Sequence, residues 1–200
     1  MINKIPLYLI YARSAFGLLI PIIAYLNWEQ KIPIIVSLII IGFLADIFDG
    51  IIARKLNVST AGLRLVDSVV DRIFWLLVLY TCYILHPKYI MEVIGLLILV
   101  LSQDLLVYVV SIIRFKKIPS PHNLLSKLWA ILIAISFVEI IIRGESSTFN
   151  LMIIIGIISR IDSLLIYLIL KNWDHDIPSS YHAYQLTKGK SIKRHELFNG

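Results

Sequence analysis

Six apolar runs of about 20 residues each, at roughly 5–27, 32–54, 63–85, 89–113, 125–143 and 148–170, divide this sequence. A helix rises 1.5 Å per residue, so each run matches the hydrocarbon thickness of a bilayer, about 30 Å. The sequence therefore predicts an all-α polytopic membrane protein with six transmembrane helices. Composition agrees. Hydrophobic residues make up 58% of the chain and charged residues 16%, against about a quarter charged in a soluble domain. One membrane domain is expected over 1–171, followed by a basic tail over 172–200. The first run lacks a small-residue cleavage pattern and reads as a membrane helix, not a removable signal. The single cysteine, Cys82, excludes an intrachain disulfide framework, and its apolar setting suits a buried structural thiol.

Charge sets the expected orientation. Trp28, Tyr89 and Trp173 lie at run ends, where aromatic residues suit the membrane interface. With the amino terminus inside, the inner connections hold Lys4, Arg54, Lys55, Arg114, Lys116, Lys117, Lys127, Lys171 and the tail. The outer ones hold Lys31, Lys88 and Arg143. The excess of cations in inner loops selects this orientation. The net charge of +6 has the same origin. No basic run is interleaved with stacking aromatics, so nucleic acid is not an expected partner. In the tail, Lys188, Lys190, Lys193 and Arg194 favour anionic membrane lipid. His175, His182 and His195 are irregularly spaced without acidic or cysteine companions, so no metal site is expected there.

One stretch breaks the apolar pattern. Asp46, Asp49, Asp67 and Asp71 are four of the 13 acidic residues, and all lie within 26 positions at the inner ends of the second and third runs. Asp46 and Asp49 (i, i+3) share one helix face, and Asp67 and Asp71 (i, i+4) share another. Gly50 and Arg54 continue the stripe of Asp46, and Ala53 continues that of Asp49. Two antiparallel helices bring the four carboxylates together across one cleft. Like charges that close demand a cation, or one of them must keep its proton. A hard divalent ion with oxygen ligands, Mg²⁺ or Mn²⁺, suits such a set.

This stretch resembles the CDP-alcohol phosphatidyltransferase signature D-x2-D-G-x2-A-R-x8-G-x3-D-x3-D. Asp46, Asp49, Gly50, Ala53, Arg54, Asp67 and Asp71 match it, seven of its eight fixed positions. The departure is the second glycine, where Leu63 stands with Gly62 one residue earlier. The resemblance implies a phospholipid-synthesising transferase in which an alcohol attacks the β-phosphorus of CDP-diacylglycerol and CMP leaves. It implies Asp46, Asp49 and Asp67 as metal ligands, with Asp71 as a further ligand or as general base. Asp49, Gly50, Ala53, Arg54 and Gly62 would bind nucleotide. A pair of Mg²⁺ or Mn²⁺ ions and a homodimer are also implied, in a bacterial-type cytoplasmic membrane. Leu63 could intrude on the nucleotide cleft unless its helix starts late enough for Gly62 to take the glycine's role.

The remaining intramembrane charges need partners. The first run opens with Pro6 and reaches Arg13, similar to the family's P-N-x-x-T-x-x-R, with Leu7 and Ile10 in place of its polar residues. Arg13 is expected to face a polar cavity rather than snorkel. Ser59 and Thr60 read as a helix N-cap. Asp104, Arg114, the Pro119-Ser120-Pro121 loop and Ser126-Lys127 resemble the phosphatidylglycerophosphate-synthase and cardiolipin-synthase branches. His122 reads as an ordinary loop histidine. Arg160 and Asp162 are two residues apart, face differently and need separate partners: a phosphate for Arg160, or a buried carboxylate such as Asp104. Arg114, Lys127 and Arg160 are expected near the inner helix ends, where they would bind an acceptor phosphate or merely lipid headgroups. Glycerol 3-phosphate is then the first acceptor and phosphatidylglycerol the second. Two other classes use clustered intramembrane carboxylates, the intramembrane prenyltransferases and divalent-cation transporters. The former place their aspartate motifs far apart on a longer chain, and the latter nearer mid-membrane.

Overall fold

The computed structural model describes residues 4–56, 58, 60–119, 123–174 and 177–192. These residues form seven helices and no strand: α1 (Ile5–Tyr25), α2 (Lys31–Lys55), α3 (Ala61–Leu85), α4 (Pro87–Phe115), α5 (Leu124–Arg143), α6 (Phe149–Ile169) and α7 (Ser180–Thr187). The first six are long and apolar enough to cross a membrane, as expected. Their ends fall within a few residues of the expected ones. Leu18, Ile22, Ile40, Ile41, Leu76 and Ile98 are among many large apolar side chains left exposed, a surface suited to lipid rather than water. Ser59, His122, His175, Lys193, Arg194 and His195 lie outside the described residues, as do two positions of the expected Pro-x-Pro loop.

The chain forms two compact units, Met1–Glu92 with Ala134–Ser147, and Val93–Ile133 with Thr148–Gly200. In the first, α1 packs along both α2 and α3. Phe74 of α3 is the wedge of that packing and is almost fully buried. A Cβ on Gly42 would lie 2.6 Å from its ring, and one on Gly17 would lie 3.2 Å from it. Glycine at both positions is what admits the ring between the helices. Ile10, Ile20, Ile35, Ile39 and Val78 complete this core. Thr60 starts α3, its Oγ1 accepting from the Leu63 amide at 3.2 Å. Cys82 is buried and its thiol faces the Phe137 carbonyl at 3.8 Å, a structural position.

The second unit buries Val107, Ile166, Tyr167, Leu170, Ile177 and Ala183 in one cluster. The stretch beyond Lys171, read from sequence as a basic tail, thus supplies two core residues and the short helix α7. Asp162 joins these parts. It accepts from Asn123 Nδ2 at 2.8 Å and from the Ser180 amide at 2.9 Å, which satisfies the start of α7. Gly156 admits Trp129: a Cβ there would sit 2.5 Å from the indole Nε1.

Candidate metal centre

The first unit positions the aspartates on two helices and adds a partner from a third. Asp46 and Asp49 stand one turn apart in the second half of α2, and Asp67 and Asp71 one turn apart in the first half of α3. One carboxylate oxygen from each of Asp46, Asp49 and Asp67 lies within 4.8 Å of the others. Asp71 is outside that group. Asp49 is 2% exposed, whereas the side chains of Asp46, Asp67 and Asp71 keep 30%, 26% and 38% of their surface accessible. The cluster therefore has one dry wall and one open side.

Arg13 of α1 reaches into it and is fully buried. Its guanidinium pairs with Asp46 and donates to Asp67 Oδ1 at 2.5 Å, and it lies 3.8 Å from Asp71 and 4.0 Å from Asp49. The expected polar cavity is thus the aspartate cluster itself. The sequence signal for this was an arginine placed inside an apolar run; the identity of its partners was not readable there.

The donor set fits a hard divalent cation. Three carboxylates on two rigid helices supply oxygen ligands alone. Asp49 Oδ2 is buried with no hydrogen-bond partner among the described residues, an arrangement that burial penalises unless a cation answers it.

The residues expected to hold nucleotide line the same stretch. Ala53 is buried, while Gly50 is partly open, and the nearest atom to a Cβ built there is Arg54 NH1 at 3.4 Å. Gly62 is exposed and a Cβ on it would meet nothing within 4 Å. It lies inside the first turn of α3, because that helix starts at Ala61, earlier than expected. Gly62 therefore serves no tight turn, and Leu63 stands in the helix one turn before Asp67. A cleft of about 250 Å³ opens between α1 and α3 close to Asp71, lined by Gly17, Leu18, Val70, Ile73 and Phe74 among others.

The expected acceptor cations lie in the second unit. Arg160 donates to Asp104 Oδ1 at 2.5 Å and sits 4.8 Å above the Trp129 ring. It stands near the middle of α6, not at its end, and the carboxylate it pairs with likewise stands well inside α4. Arg114 donates to the carbonyls of Tyr167 at 2.6 Å, Leu168, and Leu170 at 3.3 Å, closing the C-terminus of α6. Lys127 lies in the first turn of α5.

Fold and cluster together define a polytopic helical membrane protein with a carboxylate site suited to a divalent ion. The family model for CDP-alcohol phosphatidyltransferases matches residues 4–182, and the chain belongs to that family. It is a membrane transferase acting on a CDP-alcohol and an alcohol acceptor. No curated protein and no solved structure shows significant similarity to it.

Proposed function

We propose that the protein transfers a phosphatidyl group from CDP-diacylglycerol to glycerol 3-phosphate and releases CMP, as a homodimer acting at the cytoplasmic face of a bacterial-type inner membrane. The observation that carries the reading is the grouping of Asp46, Asp49 and Asp67 beside a wall of Gly50, Ala53 and Arg54. A bound Mg²⁺ or Mn²⁺ supplies the positive charge that a diphosphate needs as its leaving group departs. Asp46, Asp49 and Asp67 hold that charge in place. Gly50 keeps the wall low enough for the nucleotide to approach the backbone, with Gly62 open beside the start of α3. Arg54 offers charge-assisted bonds to phosphate. Asp71, outside the three-carboxylate group, takes the proton from the acceptor hydroxyl. The apolar cleft between α1 and α3 gives an acyl chain a wall.

The acceptor reading rests on the positions of Lys127, in the first turn of α5, and Arg160, while Arg114 closes the end of α6. For Arg160 to bind a phosphate it must share its guanidinium with Asp104. The deciding experiment follows CMP release from CDP-diacylglycerol by the purified protein, with and without metal. Glycerol 3-phosphate, phosphatidylglycerol, inositol and serine compete as acceptors. Metal-dependent CMP release with preference for glycerol 3-phosphate is expected. Preference for phosphatidylglycerol would make the product cardiolipin, and a neutral acceptor would overturn the phosphate reading. Absence of CMP release would overturn CDP-diacylglycerol as the donor.

A further inference from the structure

Arg13 touches the carboxylates that the proposed metal needs. Its NH2 donates to Asp67 Oδ1 at 2.5 Å and to the Asp67 carbonyl at 3.3 Å, and its NH1 pairs with Asp46. A divalent ion of this kind binds carboxylate oxygen at about 2.1 Å, and an arginine N–H donor approaches at about 2.8 Å. Two cations held that close to the same two side chains repel each other, and the dry wall that Asp49 forms limits the screening on that side. The Nε and NH1 of Arg13 are buried without a hydrogen-bond partner among the described residues, so NH2 alone fastens it by hydrogen bonds and charge holds the rest. Asp49 Oδ2, 4.0 Å away and likewise without a hydrogen bond, is held by charge alone.

From this geometry we infer that Arg13 is an exchangeable counter-ion: its guanidinium holds Asp46 and Asp67 together until a divalent cation displaces it from them. Arg13 is thus a positioning residue. It keeps four carboxylates from forcing α2 and α3 apart, and it sets the affinity for metal by competing with it. A purely structural arginine would support metal binding, whereas an exchanging one opposes it. The sign of the effect separates the two.

The test titrates the purified full chain in detergent with Mn²⁺, following the free ion by electron paramagnetic resonance. Arg13→Gln should bind Mn²⁺ at least about tenfold more tightly than the wild type, since a unit charge beside the ligands is gone, and Arg13→Lys should fall between them. In EDTA, Arg13→Gln should unfold at a lower temperature than the wild type, and saturating Mn²⁺ should close that gap. Equal or weaker Mn²⁺ binding by folded Arg13→Gln would overturn the exchange. Should that variant fail to fold, the Arg13 ¹⁵Nε resonance of the wild type, assigned by its loss in Arg13→Lys, decides the matter. It should shift on saturation with Mg²⁺, and an unmoved signal would overturn the idea. The inference rests on the metal-site reading, and the two fail differently. If wild type and Asp46→Asn are alike in binding no Mn²⁺, both fall; if the wild type binds and Arg13→Gln gains nothing, only the exchange falls.

Discussion

The four aspartates are not equivalent, and their burial separates their roles. Asp49 is the dry one, with an oxygen that no donor among the described residues satisfies. Keeping a carboxylate there is unfavourable without a cation, which is the signature of a residue retained for function against stability. Asp49→Asn should therefore abolish metal-dependent turnover while raising the unfolding temperature measured in EDTA. Asp46→Asn and Asp67→Asn should also lose turnover, but without that gain, because each removes a close partner of Arg13, whereas Asp49 stands 4.0 Å from it. Asp71 stands outside the three-carboxylate group. Its change to Asn should preserve Mn²⁺ binding within a few fold and slow transfer by roughly 10²–10⁴, the usual range for loss of a general base. Normal transfer by Asp71→Asn at saturating substrate would remove it from the chemistry. An Asp49→Asn protein less stable than wild type in EDTA would show that the carboxylate is satisfied after all.

Among elements, the α1–α2–α3 packing decides whether the aspartates meet. Phe74 lies against Gly17 and Gly42, so α1 and α2 are gauged against the same ring. A methyl group at residue 42 cannot coexist with that ring, given the 2.6 Å approach. Gly42→Ala should cost about 1–3 kcal/mol in thermal or denaturant unfolding, the usual range for overpacking. Phe74→Leu should return much of that loss in the double variant, because the two sites share one space. Additive losses would show that the glycine is there for another reason. In the second unit, α4 and α6 are joined by Arg160 and Asp104, a half-buried pair in which each charge answers the other. Arg114 does the same for the end of α6 with three carbonyls, a job that helix geometry leaves open at every C-terminus.

For the molecule as a whole, orientation in the membrane determines which pool of substrates the aspartates meet. The cation bias of the loops argues for an inner amino terminus. Lys55, at the end of α2, and Lys88, at the start of α4, are both exposed and should lie on opposite sides. In a Cys82→Ser background, an impermeant maleimide should label Lys88→Cys in intact cells and Lys55→Cys only after permeabilisation. The reverse pattern would place the site on the outer face and deny it a cytoplasmic acceptor.

The apolar runs determined the six long helices, because span length and hydrophobicity are properties of a single segment in lipid and need no knowledge of its neighbours. The spacing of Asp46 with Asp49 and of Asp67 with Asp71 was equally local, since i+3 and i+4 positions share a helix face whatever the fold. The N-cap at Thr60 was legible for the same reason. The early start of α3 and the existence of α7 were not, because they depend on marginal end residues and on burial of Ile177 and Ala183 against α6. Partner choice was least legible of all. Arg13 meets Asp67 across 54 residues, and Arg160 meets Asp104 across 56. Sequence shows that a charge in an apolar helix must find a partner. Which one it finds depends on helix rotation and packing, and here glycines at 17 and 42 brought α1 close enough to put its arginine among the aspartates.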